Sequence, residues 1–274
     1  MTGFGERLHA AVARRGRLCV GIDPHAALLE KWGLDASADG VREFGLRVVA
    51  AAAGRVAVVK PQVAFFERHG AAGFSALEDV LQAARAAGLL VIADAKRGDI
   101  GSTMRAYAEA WLTPGSPLEA DALTVSPYVG VGALAETREL AQRYGKGLFV
   151  LAATSNPEGA DVQTAVTTTQ RALAAEVAAQ ARAVDAAAAG WQDVGVVVGA
   201  TVDRRQYGLT DELLQNVPIL APGFGAQGAR LGDVPRLFGS LSAHVLASAS
   251  RSILTAGPDG LAESIENHVS ELEA

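Results

Sequence analysis

Asp94 and Lys96 stand two residues apart at the end of the apolar run Val91-Ile92-Ala93, and charge continues through Arg97 to Asp99. Side chains alternate along an extended strand, so Asp94 and Lys96 face one way while Ala93 and Ala95 face the other. Two readings are open. The pair is either a salt bridge that closes one end of a sheet or the charged floor of a site. Desolvating an ion pair is costly, which favours the second. Lys60 strengthens it, because it ends another apolar run, Val56-Ala57-Val58-Val59, and neighbouring strands lie about 4.8 Å apart. Alternating signs keep both ammonium groups protonated despite partial burial. A protonated lysine held over a substrate is a general acid.

Eight β-type runs are needed to position such residues, and the chain supplies them at 18–23, 56–62, 89–96, 122–126, 147–154, 194–201, 218–225 and 243–250. Helix-type stretches lie between them, among them 73–87, 105–112, 134–144, 166–189 and 259–272. Such alternation implies parallel strands with crossover helices. Continuous apolar runs fit strands covered on both faces. A chain of 274 residues with eight such units predicts an α/β fold, a (β/α)8 TIM barrel in one domain spanning 1–274. An open doubly wound sheet would carry a nucleotide fingerprint at its first strand–helix turn, where this chain reads Gly21-Ile22-Asp23-Pro24-His25. Asp23, Lys60 and Ser126 each precede a proline, which places them at carboxyl ends of strands, where barrels build their sites.

The segment Asp94-Ala95-Lys96-Arg97-Gly98-Asp99-Ile100-Gly101-Ser102-Thr103 resembles the signature of the orotidine 5′-phosphate decarboxylase family, in its longer bacterial branch. The resemblance extends along nearly the whole chain. It takes in Asp23, Lys60-Pro61 with Ala64-Phe65-Phe66-Glu67, Thr124-Val125-Ser126-Pro127-Tyr128 and Thr154-Ser155-Asn156-Pro157. It also takes in Pro222-Gly223-Phe224-Gly225-Ala226-Gln227-Gly228 and Ser250-Arg251. The resemblance implies cofactor-independent decarboxylation of a nucleoside monophosphate, with no metal. It implies that Lys96 protonates C6, that Asp94 faces the substrate carboxylate, and that Lys60 and Asp23 hold the ribose hydroxyls and the charge array. It further implies a homodimer in which Asp99 enters the neighbouring site together with Ile100 and Thr103, and a pyrimidine contact at Ser126.

Gly223–Gly228 is literally a G-x-G-x-x-G, but it follows strand seven rather than strand one, and no acid stands about 20 residues on. A glycine loop that opens a helix and aims N–H groups at one phosphate fits better, with Gly225, Gln227 and the Arg251 guanidinium as the grip. A glycine turn serving only close packing is the plain alternative. Thr154 and Ser155 begin a polar, turn-rich segment that reads either as a lid or as an ordinary loop.

A net charge of −6 argues against nucleic acid as partner. The single cysteine, Cys19, allows no internal disulfide and reads as core. Apolar runs are too short to span a membrane and no export signal is visible, so the expectation is a cytoplasmic protein. His25 lies near the expected mouth but reads as a surface histidine. Phe65, Phe66 and the three tryptophans read as core or interface. Two rival functions stand beside the main one: a magnesium-dependent sugar-phosphate decarboxylase or aldolase of the same superfamily, and a non-catalytic nucleotide-binding barrel. Arg97-Gly98 and Ile100 disfavour the first, and the intact lysine and acids disfavour the second.

Overall fold

The computed structural model describes residues 2–183, 190–226 and 228–274. Its eight strands close in sequence order into one parallel barrel. They are β1 (Leu18–Ile22), β2 (Val58–Pro61), β3 (Leu90–Arg97), β4 (Ala122–Val125), β5 (Gly147–Ala153), β6 (Val194–Val198), β7 (Ile219–Phe224) and β8 (Val245–Ala249). The last strand returns to the first, with Leu18 paired to Ala247 and Val20 to Ala249. The expected (β/α)8 barrel is therefore the observed fold.

Two apolar layers hold it. Outward-facing strand residues such as Val20, Val59, Val91 and Leu123 pack under the helices. Inside, every strand contributes to a buried plug, from Cys19 and Val58 through Phe149 to Leu246. The period of two then explains where polarity begins. Two residues further along, Val58 gives way to Lys60, Ile92 to Asp94, Ala122 to Thr124 and Leu246 to Ser248. An apolar layer thus supports a polar one toward the carboxyl ends of the strands.

The amino-terminal helix Phe4–Arg15 closes the opposite end. Phe4 is fully buried and meets Phe149 edge-on, with ring centroids 6.1 Å apart. Gly147 makes room for this ring, since a Cβ there would lie 2.1 Å from Phe4. Arg7 fastens the helix through Asp121 (2.8 Å) and the Gly145 carbonyl (2.8 Å).

Two expectations change. The helix expected over 166–189 begins at Leu173 and runs to Ala183. Residues 166–172 instead form a turn closed by a Val166–Ala172 bridge, with Gln170 in the left-handed region. The threonine run before it suits turns better than a helix interior. Residues 184–189 of that expected helix lie outside the described residues. The glycine loop after β7 does not open a helix directly. It closes on itself, Gly225 N–H donating to the Ala229 carbonyl (2.8 Å) and Gly228 N–H to the Gly225 carbonyl (2.9 Å). The next helix starts only at Val234, where Pro235 supports its first turn.

Candidate active site

The polar layer opens into a cavity of about 510 Å³ at the carboxyl ends of the strands. Asp94 is its hub and is almost fully buried. Its Oδ2 accepts from Lys60 Nζ at 2.8 Å, and its Oδ1 accepts from Lys96 Nζ at 2.5 Å and from Thr124 Oγ1 at 3.0 Å. One carboxylate thus carries two ammonium groups on separate oxygens. Burial opposes charge on Asp94, but Lys60 and Lys96 override it and hold the carboxyl well below the usual carboxylate range. Burial likewise opposes charge on Lys60, and the Asp94 and Asp23 carboxylates override it and raise that ammonium above its ordinary value.

Lys96 reaches this position from an irregular strand end. The β3–β4 register shifts between Ala93 and Arg97, and Lys96 has φ +49°. A left-handed lysine costs about 1–2 kcal/mol. The Lys96 N–H is held by Thr124 Oγ1 at 2.9 Å. The bulge leaves the Lys96 side chain 46% exposed, open to the cavity while tied to Asp94.

Asp23 lines the same cavity, and its Oδ1 is buried without a hydrogen-bond partner. Thr154 and Arg251 line it too, as do Gly223, Phe224 and Ala226 of the glycine loop. The wall therefore carries carboxylates and ammonium groups at β1–β3 and a guanidinium with glycine backbone at β7–β8. That arrangement suits a substrate with a negatively charged reacting end and an anion at its far end.

The other expected residues lie elsewhere. Asp99, Ile100 and Thr103 follow the bulge outside the wall of this cavity. Asp99 Oδ1 accepts from the Ile100 N–H at 2.8 Å, and the Ile100 side chain is exposed. Ser126 lies behind Gly98, its N–H donating to the Arg97 carbonyl (2.8 Å). Ser155 follows Thr154 but packs toward Gly199. Gly225 faces a second, smaller cavity behind its loop. Gln227 lies outside the described residues.

Sequence reasoning missed four contributors. Gln62 lines the cavity, with Oε1 3.5 Å from Lys96 Nζ and Nε2 donating to the Asp94 carbonyl (3.3 Å). It follows Lys60 by two residues, and that spacing could have revealed it. Thr124 is the only hydroxyl of β4, flanked by Leu123 and Val125, another visible signal. His25 and Phe65 are not surface and core. They line the cavity together, ring centroids 4.3 Å apart. Neither has a pattern that would separate a cavity wall from a packed interior. Cys19 is core as expected, and burial pushes its thiol up to about 12, far from a thiolate nucleophile.

The sequence matches the model of the orotidine 5′-phosphate decarboxylase / HUMPS family over residues 16–264. An orotidine 5′-phosphate decarboxylase of Salinispora tropica is 53% identical over 262 residues, covering 96% of this chain and 93% of the relative. One from Streptomyces coelicolor is 53% identical over 260 residues, covering 94% and 92%. Among solved structures, a Streptomyces avermitilis chain superposes with a TM-score of 0.95 at 50% identity, covering 100% of this chain and 95% of its own. The Leishmania donovani OMP decarboxylase superposes at 0.74 with 30% identity, covering 99% and 98%. Read with the Lys60–Asp94–Lys96 array at the barrel mouth, these likenesses mean that the chain belongs to the orotidine 5′-phosphate decarboxylase / HUMPS family.

Proposed function

We propose that this protein decarboxylates orotidine 5′-phosphate to UMP and carbon dioxide, with Lys96 as the proton donor to C6. The observation that carries the reading is the shared Asp94 carboxylate. It binds the side-chain nitrogens of Lys60 and Lys96 at the base of a cavity whose opposite wall carries Arg251 and the glycine loop. Relatives named orotidine 5′-phosphate decarboxylase, 53% identical over nearly the full chain, support this substrate.

Loss of carbon dioxide from C6 leaves an electron pair in the plane of the ring, where no π-system takes it up. Fixed positive charge must stabilise it. Lys96 supplies that charge beside the reacting carbon and then transfers its proton there. The Asp94 carboxylate sets the position of that ammonium before substrate arrives, so little reorganisation is needed during the reaction. Lys60, within the array, and Asp23, on the same cavity wall, bind the ribose hydroxyls. Arg251 and the glycine loop, Gln227 included, hold the phosphate, and Thr154 and Ser155 start the segment that covers it. Binding energy gathered at the phosphate holds the reacting end against Lys96.

The active species is a homodimer. The loops after β3 and β4 lie together, since Ser126 N–H binds the Arg97 carbonyl. The chain segments that follow expose Ile100 (63%), Tyr128 (91%) and Val129 (47%). Apolar groups exposed this way suit a second copy of the chain. Asp99, turned out of its own cavity, is free to complete the neighbour's site, with Ile100 and Thr103 beside it.

The test is a decarboxylation assay on orotidine 5′-phosphate, read by the fall in pyrimidine absorbance, with and without a chelator. Turnover unchanged by chelator is the expected result. No turnover, or turnover only with added magnesium, overturns the proposal.

A further inference from the structure

Behind the glycine loop a polar pair outside the cavity connects it to the last helix. Gly225, in the left-handed region at φ +77°, rests directly on Ser252, and a Cβ at Gly225 would lie 2.5 Å from Ser252 Oγ. Ser252 follows Arg251 in the short helical turn Arg251–Leu254. Its hydroxyl is 3.0 Å from His268 Nε2, and His268 Nδ1 is 2.7 Å from the Ser264 carbonyl. Both His268 and Ser264 belong to the carboxy-terminal helix Gly257–Glu273.

The carbonyl can only accept, so Nδ1 carries the ring proton and donates it. In the neutral ring Nε2 is then the acceptor, and the Ser252 hydroxyl donates to it. The hydroxyl proton is thereby turned away from the loop, and the oxygen presents its lone pairs and its fixed position to Gly225. A second contact fastens the same turn, Ser264 Oγ donating to the Ile253 carbonyl at 3.2 Å. The loop itself has room to retreat, because a cavity of about 210 Å³ lies between it and this helix, bounded in part by Gly225, Gly228, Ser252 and His268.

We propose that His268 is a positioning residue for the anion grip. It locks Ser252 as the stop against which Gly225 rests, and so sets the spacing between the glycine loop and Arg251. The inference rests on the reading that this loop and Arg251 hold the substrate phosphate. No contact between His268 and substrate is involved.

The experiment compares binding of UMP and of uridine by calorimetry to the full-length dimer. His268→Ala weakens UMP by roughly five- to tenfold and leaves uridine unchanged, the loss expected for one positioning hydrogen bond. His268→Gln, whose amide oxygen reaches the place of Nε2, restores UMP affinity. His268→Asn, which reaches only the place of Nδ1, does not. Ser252→Ala gives the same selective loss, and the double variant loses no more than His268→Ala alone. Equal loss for UMP and uridine, or equal behaviour of Gln and Asn at 268, overturns the proposal. Arg251→Ala serves as the reference. If it fails to distinguish UMP from uridine, the phosphate reading falls and this inference falls with it. If it does distinguish them and His268→Ala does not, only the positioning role falls.

Discussion

Lys96 Nζ lies 2.5 Å from an oxygen of Asp94, two residues earlier on the same strand, with the lysine backbone left-handed at φ +49°. Strand and bulge together deliver an ammonium that is tied on one side and open on the other. Lys96→Ala removes both the fixed charge and the proton. Turnover of orotidine 5′-phosphate is expected to fall by about 10⁴-fold or more. UMP affinity, governed by the phosphate end, is largely retained. Steady-state kinetics and calorimetry on one preparation check it, and a variant of near-normal rate removes Lys96 from the proton step.

Asp99 gives a test of the proposed dimer. Lys96→Ala and Asp99→Ala are each expected to be inactive alone. Mixed after mild dissociation, they form hybrids in which one of the two sites is intact. Statistical exchange restores about a quarter of the wild-type rate. An inactive mixture, with hybrids verified by mass, means that Asp99 serves its own chain or has no part in the reaction.

Thr124 is expected to matter through geometry alone. Its hydroxyl joins Asp94 Oδ1 to the strained backbone of Lys96. Thr124→Val keeps shape and loses both contacts, so kcat falls about tenfold while KM changes little. Thr124→Ser recovers most of the rate. A change confined to KM would show that Thr124 contacts substrate instead.

Asp94 and Lys60 are expected to stay charged through the working pH range. The Asp94 carboxyl is held below its ordinary 3.8, so its contribution to stability is present above that value and is lost as the solution is acidified further. The Lys60 ammonium is raised above its ordinary 10.5, so its contribution is complete below that value and is lost only in stronger alkali. Carbon-13 NMR of the Asp94 carboxyl should therefore show no titration between pH 8 and pH 4. A midpoint inside that window contradicts the double ion pair.

Much of this was legible because a strand repeats every two residues. The same period that alternates apolar groups in the barrel wall puts Lys60 and Asp94 at the mouth, while Lys96 reaches it only through the bulge that ends β3. Gln62 and Thr124 obey that pattern too, but neither carries the charge that sets a residue apart in an apolar run. His25 and Phe65 were not legible, since an aromatic ring lining a cavity and one packed in a core have the same composition around them. The turn at 166–172 is hidden in the sequence because the alanine-rich stretch beyond it carries a helical rhythm that extends backward through the threonines. The loop after β7 showed its glycines but not that Gly225 spends its N–H on Ala229, a contact that depends on folding back over four residues.

The helix at Phe4–Arg15 gives the molecule a front and a back. Phe4 stoppers the barrel where the strands begin, and the cavity opens where they finish. A tether joined ahead of Gly3 therefore emerges on the side remote from the chemistry. Enzyme fastened to a bead or sensor chip by that end would present its mouth to the bulk solution, and substrate would reach it without passing the support.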